Sequence, residues 1–208
     1  MTGHEWELDY TTNLKKAVKN KEQKWIEIGY TLFAKEGPKG LKVDTIAKLL
    51  NTSRSSFYYH FAEIEIFQTA LFHYHVERAK LMAESALNCQ NINPDLINAI
   101  IAFKEDLLFN RQLRVHRHMP DYAECLEKAH RPVEQAFLKI WAKEFNLENN
   151  LGAAQMLLRL VVDNFYMRIS EENLNLDWLT NYLNEVVEMA RRIEKSWLNH
   201  PLTVHFCL

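Results

Sequence analysis

The sequence predicts an all-α fold, and three observations support that prediction. Apolar residues recur at the i, i+3, i+4 and i+7 spacing of a helix along most of the chain. Only 5 glycines and 5 prolines occur among the 208 residues, whereas an all-β fold needs a turn signal roughly every 8–12 residues. Hydrophobic residues make up 48% and charged residues 25% of the chain, a composition that excludes a disordered or fibrous protein.

The first predicted helix covers residues 20–36. Its apolar face consists of Trp25, Ile28, Gly29, Leu32 and Phe33. These residues follow the helical spacing closely, so one side of the helix should be buried. Gly37 should end the helix, and Pro38 should prevent its continuation.

Two short helices are expected next, joined by a turn of three or four residues. The apolar positions of the second helix are Val43, Ile46, Ala47 and Leu50. Asn51 should end that helix, because asparagine tolerates the left-handed conformation. Ser53 is a natural N-cap for a third helix, in which Phe57 and Phe61 share one face. This is the geometry of a helix-turn-helix.

The opposite face of the third helix is polar and aromatic. At about 100° per residue, this face carries Ser55, Tyr58, Tyr59 and Ala62, with Arg54, Ser56 and His60 at its flanks. Hydroxyl groups and an arginine suit phosphate oxygens or a guanine edge, and the helix N-terminus adds free N–H groups. The spacing alone fits either a DNA-binding face or a helical hairpin whose tyrosines pack on a neighbouring helix.

Charge is distributed unevenly, although the net charge is only −2. Residues 15–60 contain ten Lys or Arg and four acidic residues, a balance of +6, whereas residues 81–208 contain 13 basic and 17 acidic residues, a balance of −4. A basic end on an acidic body is expected where one end meets a polyanion. Chance clustering on a solvated surface has the same appearance.

Six further helices are predicted after the helix-turn-helix. Asn93 and Pro94 should provide the N-cap and the first residue of one of them, and Pro120 and Pro132 should each begin another. The predicted ranges are 63–87, a helix that opens at Asn93-Pro94, 120–130, 132–146, 151–170 and 176–198.

The last two predicted helices have apolar faces wider than one contact requires. A second copy of the chain is the simplest partner for them, so we predict a homodimer. The alternative is that a single chain fills both stripes by itself. The predicted interface consists of Leu158, Val162, Phe165, Leu179, Leu183 and Val187.

Aromatic residues are frequent between residues 88 and 175, as in the lining of a small-molecule cavity, although an ordinary helical core has the same composition. The predicted ligand-binding residues are Phe103, His116, Tyr122, Trp141, Phe165 and Tyr166. We expect no metal and no cofactor, because His116 and His118 do not face one another on a helix. The sequence contains no GxSxG, HExxH, P-loop or Rossmann fingerprint, so we do not expect an enzyme.

The cysteines predict a reducing compartment. Cys89, Cys125 and Cys207 are odd in number and far apart, so they form no disulfide framework. No stretch approaches 18 apolar residues, and the first ten residues are acidic rather than apolar. We therefore expect a cytoplasmic protein without a membrane span or a secretory signal.

The runs WIEIGYTLFAKEG and LKVDTIAKLLNTSRSSFYYHF resemble the N-terminal domain of TetR-family transcriptional regulators. The resemblance covers residues 19–72 and is most specific over Phe33–Gly37, Ile46–Ala47 and Ser53–Phe61. It implies a homodimeric repressor that a small-molecule effector releases from a pseudo-palindromic operator in double-stranded DNA. The implied organisation is an extension at residues 1–18, a DNA-binding domain at 19–72 with its motif at 42–61, and a helical ligand-binding and dimerisation domain at 73–208.

The DNA-binding residues implied by the resemblance are Lys42, Thr45, Ser53, Arg54, Ser55, Ser56, Tyr58, Tyr59 and His60. Four positions depart from the family pattern. Asn51 and Ser55 each stand where a Gly is common, and Lys42 stands where a capping Thr is common, so that a cap is lost and a charge is gained. Ile64 stands where a Lys often contacts phosphate, so we expect weaker non-specific binding. The departures at Lys42 and Ile64 leave open a helical enzyme or interaction module that has lost DNA binding.

Residues 1–18 have two possible roles. They could form an extra helix that packs on the domain, or a basic arm that reaches the minor groove through Lys15, Lys16 and Lys19.

Overall fold

The computed structural model describes the backbone from Gly3 to Asn199 and the side chains of residues 20–192. All the regular secondary structure assigned in that part of the chain is helical, which confirms the predicted all-α fold class. No helix there is both long and apolar enough to cross a membrane. The α-helices are α1 (Gly3–Glu36), α2 (Val43–Leu49), α3 (Arg54–Phe61), α4 (Ile64–Leu87), α5 (Ile97–Ala102), α6 (Lys104–Val115), α7 (Pro120–Glu144), α8 (Leu151–Arg168) and α9 (Leu176–Asn199).

Helix α1 begins much earlier than predicted. Residues 3–19 are helical and continue without a break into the predicted helix at residues 20–36. The backbone therefore favours an extra helical segment over an extended arm, while the side chains of Lys15, Lys16 and Lys19 lie outside the described residues. Gly37 follows the helix with φ 66°, a left-handed conformation that glycine adopts without a steric cost.

The turn between α2 and α3 closes as the sequence predicts. Asn51 has φ 50°, and the next residue, Thr52, donates its N–H to the carbonyl of Ala47 at 2.9 Å. This bond satisfies one of the last carbonyls of α2. Ser53 caps α3, because its hydroxyl accepts the N–H of Ser56 at 3.4 Å. Local rules of turn and cap chemistry thus set where α3 begins.

Aromatic rings hold α3 in place. Phe57 and Phe61 are buried, and the ring centroid of Phe57 lies 5.3 Å from that of Trp25 in α1 and 5.3 Å from that of Phe67 in α4. A Cβ atom at Gly29 would lie 2.4 Å from the ring of Phe67, so only glycine allows α1 and α4 to approach this closely. One face of α3 is therefore committed to the core.

A buried polar cluster ties together α1, α4 and α6. The hydroxyl of Tyr30 donates to Oδ1 of Asp106 at 2.8 Å and lies 2.7 Å from Nδ1 of His75. Arg78 donates to both oxygens of Asp106, at 2.9 and 2.7 Å. Because the one proton of the Tyr30 hydroxyl is used on Asp106, His75 is the donor in the second bond and carries its proton on Nδ1. Burial lowers the pKa of His75 to about 4, so its ring is neutral at pH 7.

The chain forms two compact units. The first consists of the chain up to Arg78 together with Glu105–Ala129, and the second consists of Ala79–Lys104 together with the chain from His130 onward. Helices α4 and α7 each contribute to both units. The functional domains at residues 19–72 and 73–208 stay a prediction, because compactness and function need not divide a chain at the same positions.

The helix predicted to open at Asn93 is arranged differently. Asn91, not Asn93, provides the cap, because its side chain accepts the N–H of Asp95 at 3.3 Å. Asn93 is extended, with φ −117° and ψ 120°, as expected of a residue before proline. A π-helical turn, Ile92–Leu96, precedes α5, and Phe103 separates α5 from α6 with φ −107° and ψ 28°.

The prediction that Pro132 begins a helix is wrong. Helix α7 runs from Pro120 through Pro132 to Glu144. An internal proline removes one backbone hydrogen bond and costs about 3 kcal/mol, yet buried residues keep helical spacing on both sides of it, from Ala129 to Ala136. Burial of this continuous apolar face outweighs the local cost of the proline.

Candidate nucleic-acid interface

The face of α3 opposite its buried phenylalanines is exposed. Tyr59 is 74% and Tyr58 47% exposed, while Arg54 and Ser55 are exposed and His60 is half-buried. Neither tyrosine is buried in the described part of the chain. The high exposure of Tyr59 disfavours the alternative in which both tyrosines pack on a neighbouring helix, and it leaves the face available to a partner.

The start of α2 lies beside this face in the sequence motif and also presents polar side chains. Lys42 and Thr45 are exposed, and Lys42 makes no side-chain cap on α2. Loss of the cap that a threonine would provide is thus observed. The half-buried Ile64 begins α4, so the phosphate contact that a lysine would make there is missing in this chain.

Arg54 connects α2 to α3. Its Nε lies 3.2 Å from Oδ1 of Asp44, and its Nη2 donates a long hydrogen bond of 3.5 Å to the hydroxyl of Tyr58. The Tyr58 hydroxyl, and then the Asp44 carboxylate, raise the pKa of Arg54. Sequence reasoning missed Asp44, because its contact depends on how α2 and α3 cross and not on any spacing along one helix.

The predicted dimer residues are largely used inside the second unit. Four of the six side chains are buried, namely Leu158, Phe165, Leu179 and Leu183, and the other two, Val162 and Val187, are half-buried. A buried side chain cannot also contact a partner without unpacking its own core. The large exposed apolar side chains of α8 are instead Leu151, Met156, Leu160 and Met167, at 54%, 67%, 64% and 81% exposure. The dimer itself stays a prediction.

The predicted ligand-binding residues fall in both units. His116 and Tyr122 belong to the first, with ring centroids 5.8 Å apart. Phe103, Trp141, Phe165 and Tyr166 belong to the second. Trp141 is buried, and its Nε1 has no hydrogen-bond partner in the described structure. Their role as ligand contacts remains a prediction.

A cavity of about 490 Å³ lies within the second unit, and none of the six predicted ligand residues lines it. Its apolar lining consists of Ile92, Ile140 and Phe145, and its polar lining consists of Gln90, Asn91, Lys143, Glu144, Asn146 and Arg191. Arg191 pairs with Glu144 at 2.9 Å, and Nζ of Lys143 donates to the carbonyl of Gln90 at 3.4 Å. Six of the nine lining residues are polar, so this cavity is more polar than most small-molecule sites, although it is of similar volume.

Metal-ligand side chains are not clustered in the described part of the chain. No group of three or more His, Cys, Asp or Glu residues there could hold a metal ion.

The capped turn between α2 and α3, with one face of α3 buried and the other exposed, forms a helix-turn-helix, the motif that places a helix in the major groove in many DNA-binding domains. Residues 26–65 match the model of the family described as bacterial regulatory proteins, tetR family. This match confirms the resemblance found in the sequence over residues 26–65, which contain the helix-turn-helix.

Two solved structures share the fold of most of the chain. One, from Mesorhizobium loti MAFF303099, is described as a TetR-family transcriptional regulator; it has a TM-score of 0.55 and 16% sequence identity, and the alignment covers 85% of this chain and 97% of that one. A second, from Rhodococcus sp., is described in the same way, with a TM-score of 0.54, 15% identity and coverage of 82% and 98%. At these identities the likeness shows the fold alone. No curated protein matches the chain.

Proposed function

We propose that the chain is a ligand-responsive repressor, which binds a pseudo-palindromic operator as a homodimer and leaves it when a small molecule binds. The observation that carries the proposal is the two-sided character of α3. Phe57 and Phe61 fix one face in the core, while Arg54, Tyr58 and Tyr59 project from the other. A helix anchored in this way can enter a major groove as a rigid reader.

Phosphate contacts in this proposal come from the exposed residues around α2 and α3. Lys42 supplies a cation, and the N-terminus of α3 adds free N–H groups next to Ser53, which suit a phosphate. Because Glu63 and Glu65 are exposed at the start of α4 and Ile64 replaces a cation there, non-specific affinity should be modest.

The homodimer is proposed on the exposed apolar face of α8. Met156, Leu160 and Met167 recur along one side of that helix at helical spacing, and a soluble monomer seldom leaves such a stripe uncovered. A twofold pair of chains would cover the stripe and present two copies of α3. Half-sites on one face of DNA lie about 34 Å apart per turn, so a small change in the spacing of the two copies would weaken operator binding.

We place the effector at the cavity of the second unit and not at the predicted aromatic residues, because the cavity offers a volume in the range of small-molecule sites. Lys143 forms no ion pair with a carboxylate among the described residues; its Nζ donates instead to the backbone carbonyl of Gln90. The effector is therefore expected to be an organic anion whose apolar part contacts Ile92, Ile140 and Phe145.

Footprinting on the DNA upstream of the gene, at two salt concentrations, tests the DNA-binding half of this proposal. A protected pseudo-palindrome of about 15–30 bp, with affinity that falls steeply in salt, is expected. Tyr58→Ala should weaken binding while the oligomeric state is unchanged, and Tyr58→Phe separates the ring from its hydroxyl. No protection there and no selection of any genomic fragment would refute the proposal.

The effector half is tested on the protein bound to that operator. Phenylacetate and octanoate, titrated separately, are the probes, and release of the operator is the readout. Lys143→Met should abolish the response, whereas Lys139→Met, one turn earlier on α7 and outside the cavity lining, should retain it. A response to neither acid, or an equal response in both variants, would move the effector site elsewhere.

A further inference from the structure

The ion pair between Asp44 and Arg54 fixes the direction in which the arginine can act. Asp44 lies in the first turn of α2, and Arg54 is the first residue of α3. Both side chains are exposed, and the Nε of Arg54 lies 3.2 Å from the Asp44 carboxylate. With Nη2 also 3.5 Å from the Tyr58 hydroxyl, the guanidinium is held from two sides on the face proposed to meet DNA.

This arrangement uses Nε on Asp44 and one N–H of Nη2 on the Tyr58 hydroxyl. Each terminal nitrogen carries two N–H groups, so Nη2 has one N–H beyond its bond to Tyr58 and Nη1 has two. A partner at the Nη1–Nη2 edge takes one N–H from each nitrogen. Two parallel N–H groups on that edge match the O6 and N7 acceptors of guanine in the major groove. An arginine that is held at Nε is thus already oriented for a base contact. An arginine without such a contact would lose side-chain conformational entropy when it binds the base.

The same pair is a poor clamp for phosphate. Asp44 cancels the charge of Arg54, and a carboxylate next to the DNA backbone is repelled by it. An exposed ion pair of this kind adds little to folding stability, and an acidic residue in the first turn of α2 is stabilised a little by the helix N-terminus. Neither effect requires the contact with Nε, which orientation of Arg54 explains.

We propose that Asp44 is a positioning residue, which holds the Arg54 guanidinium so that it reads a guanine in each operator half-site. The inference rests on the proposed DNA-binding function and adds to it a base preference and the residue that creates it. Arg54 makes the contact with the base, Tyr58 supports the guanidinium, and Asp44 acts through Arg54 without touching DNA.

Selection of bound duplexes from a randomised pool tests this inference on the full-length protein. The wild-type chain should select half-sites with one strongly preferred guanine, because a bidentate contact of this kind discriminates by about tenfold to a hundredfold. Arg54→Ala and Asp44→Asn should each reduce that preference to under about threefold. The double variant should be no worse than Arg54→Ala, since Asp44 acts through Arg54.

Non-specific binding should change in the opposite direction. Asp44→Asn removes a negative charge and frees Arg54 for phosphate, so affinity for duplexes lacking the guanine should be equal or higher and the salt slope steeper by about one phosphate contact. The matched control is Glu63→Gln, which removes an exposed carboxylate near the interface; the ion-pair partner of Arg54 is Asp44 and not Glu63. It should raise general affinity and keep the guanine preference.

The outcomes separate the two proposals. If the wild-type chain selects an operator but Asp44→Asn keeps the full guanine preference, the positioning role is refuted and DNA binding stands. An operator whose base preferences are the same for wild type and Arg54→Ala refutes guanine reading by Arg54. If the wild-type chain selects no sequence, DNA recognition and this inference fail together. Unchanged helical content and melting temperature in each variant exclude a folding defect as the cause.

Discussion

Helix α3 separates its two faces by chemistry, whereas helix α8 carries apolar side chains on both its buried and its exposed face. In α3, Phe57 and Phe61 are buried, and tyrosines and polar groups are outside. In α8, Leu158 is buried but Leu160, two residues later, is 64% exposed. Side-chain chemistry therefore predicts the orientation of α3, while in α8 it predicts only that two faces require partners.

The largest effect that tests this comparison is expected from Phe57→Ala. Phe57 is fully buried against Trp25, Phe61 and Phe67, so the cavity left behind should lower the free energy of unfolding by about 3–5 kcal/mol. Urea denaturation followed by circular dichroism measures it. The control Tyr59→Ala, on the exposed face, should change stability by less than about 0.5 kcal/mol. Similar losses in both variants would contradict the two-sided character of α3.

The exposed face of α8 gives the next effect. Replacing both Met156 and Leu160 by Glu would put two charges into the proposed dimer interface, and each lost apolar contact is worth about 1.5 kcal/mol or more. The dissociation constant of the dimer should therefore rise by about a hundredfold or more, as measured by sedimentation. Leu81→Glu on α4, at a side chain 50% exposed, is the control and should leave the dimer intact. The reverse pattern would place the interface on α4.

The sequence predicts the features that depend on neighbouring residues better than those that depend on distant segments. The cap at Ser53, the left-handed Asn51 and the end of α1 at Gly37 are set by neighbouring backbone atoms, so local rules predict them correctly. The sequence also predicts that Phe57 and Phe61 are buried, because a short helix with a single apolar face has one orientation that buries that face. The exposure of the opposite face of α3 is predicted by the same reasoning.

The remaining features depend on contacts between distant segments. Pro132 is a strong local stop signal that a continuous buried face overrides. Asn91 and Asn93 are equally good caps in isolation, so the sequence does not distinguish them, and Asn91 is the one that caps the helix. The Asp44–Arg54 pair and the cavity around Lys143 arise from helix crossings. No spacing within one helix encodes such crossings.

A buried polar group extends the comparison to pH. The folded-state pKa of His75 is about 4, whereas an unfolded histidine titrates near pH 6.5. Between these two pKa values the histidine is protonated in the unfolded chain and neutral in the folded chain. The free energy of unfolding should therefore fall as the pH drops from about 6.5 to about 4, by up to about 1.4 kcal/mol per pH unit. Above about pH 6.5 this contribution is fully present.

Urea denaturation at several pH values checks this prediction. His75→Phe should lose that part of the pH dependence, although it also removes the hydrogen bond to Tyr30 and so lowers stability at every pH. His73→Phe, an exposed histidine two residues earlier on α4, is the control and should keep the slope of the wild type. An unchanged slope in His75→Phe would mean that His75 does not titrate as its burial requires.

The smallest expected effect lies at the end of α3, where the exposed face meets a strained turn. Ala62 has φ 55° and ψ −51°, and the N–H of Glu63 bonds to the carbonyl of Phe61 across it, which is a tight turn that L-residues adopt only with strain. Relief of that strain in Ala62→Gly is worth about 1–3 kcal/mol, against about 0.4–1 kcal/mol for the greater freedom of glycine in the unfolded chain. The relief of strain should be the larger of the two contributions, so the free energy of unfolding should rise by about 1 kcal/mol. If glycine instead destabilises the protein, the turn is unstrained and α3 is fixed by its buried rings alone. If stability rises while operator affinity falls, the strain at Ala62 helps to hold the reading face of α3 in its binding orientation.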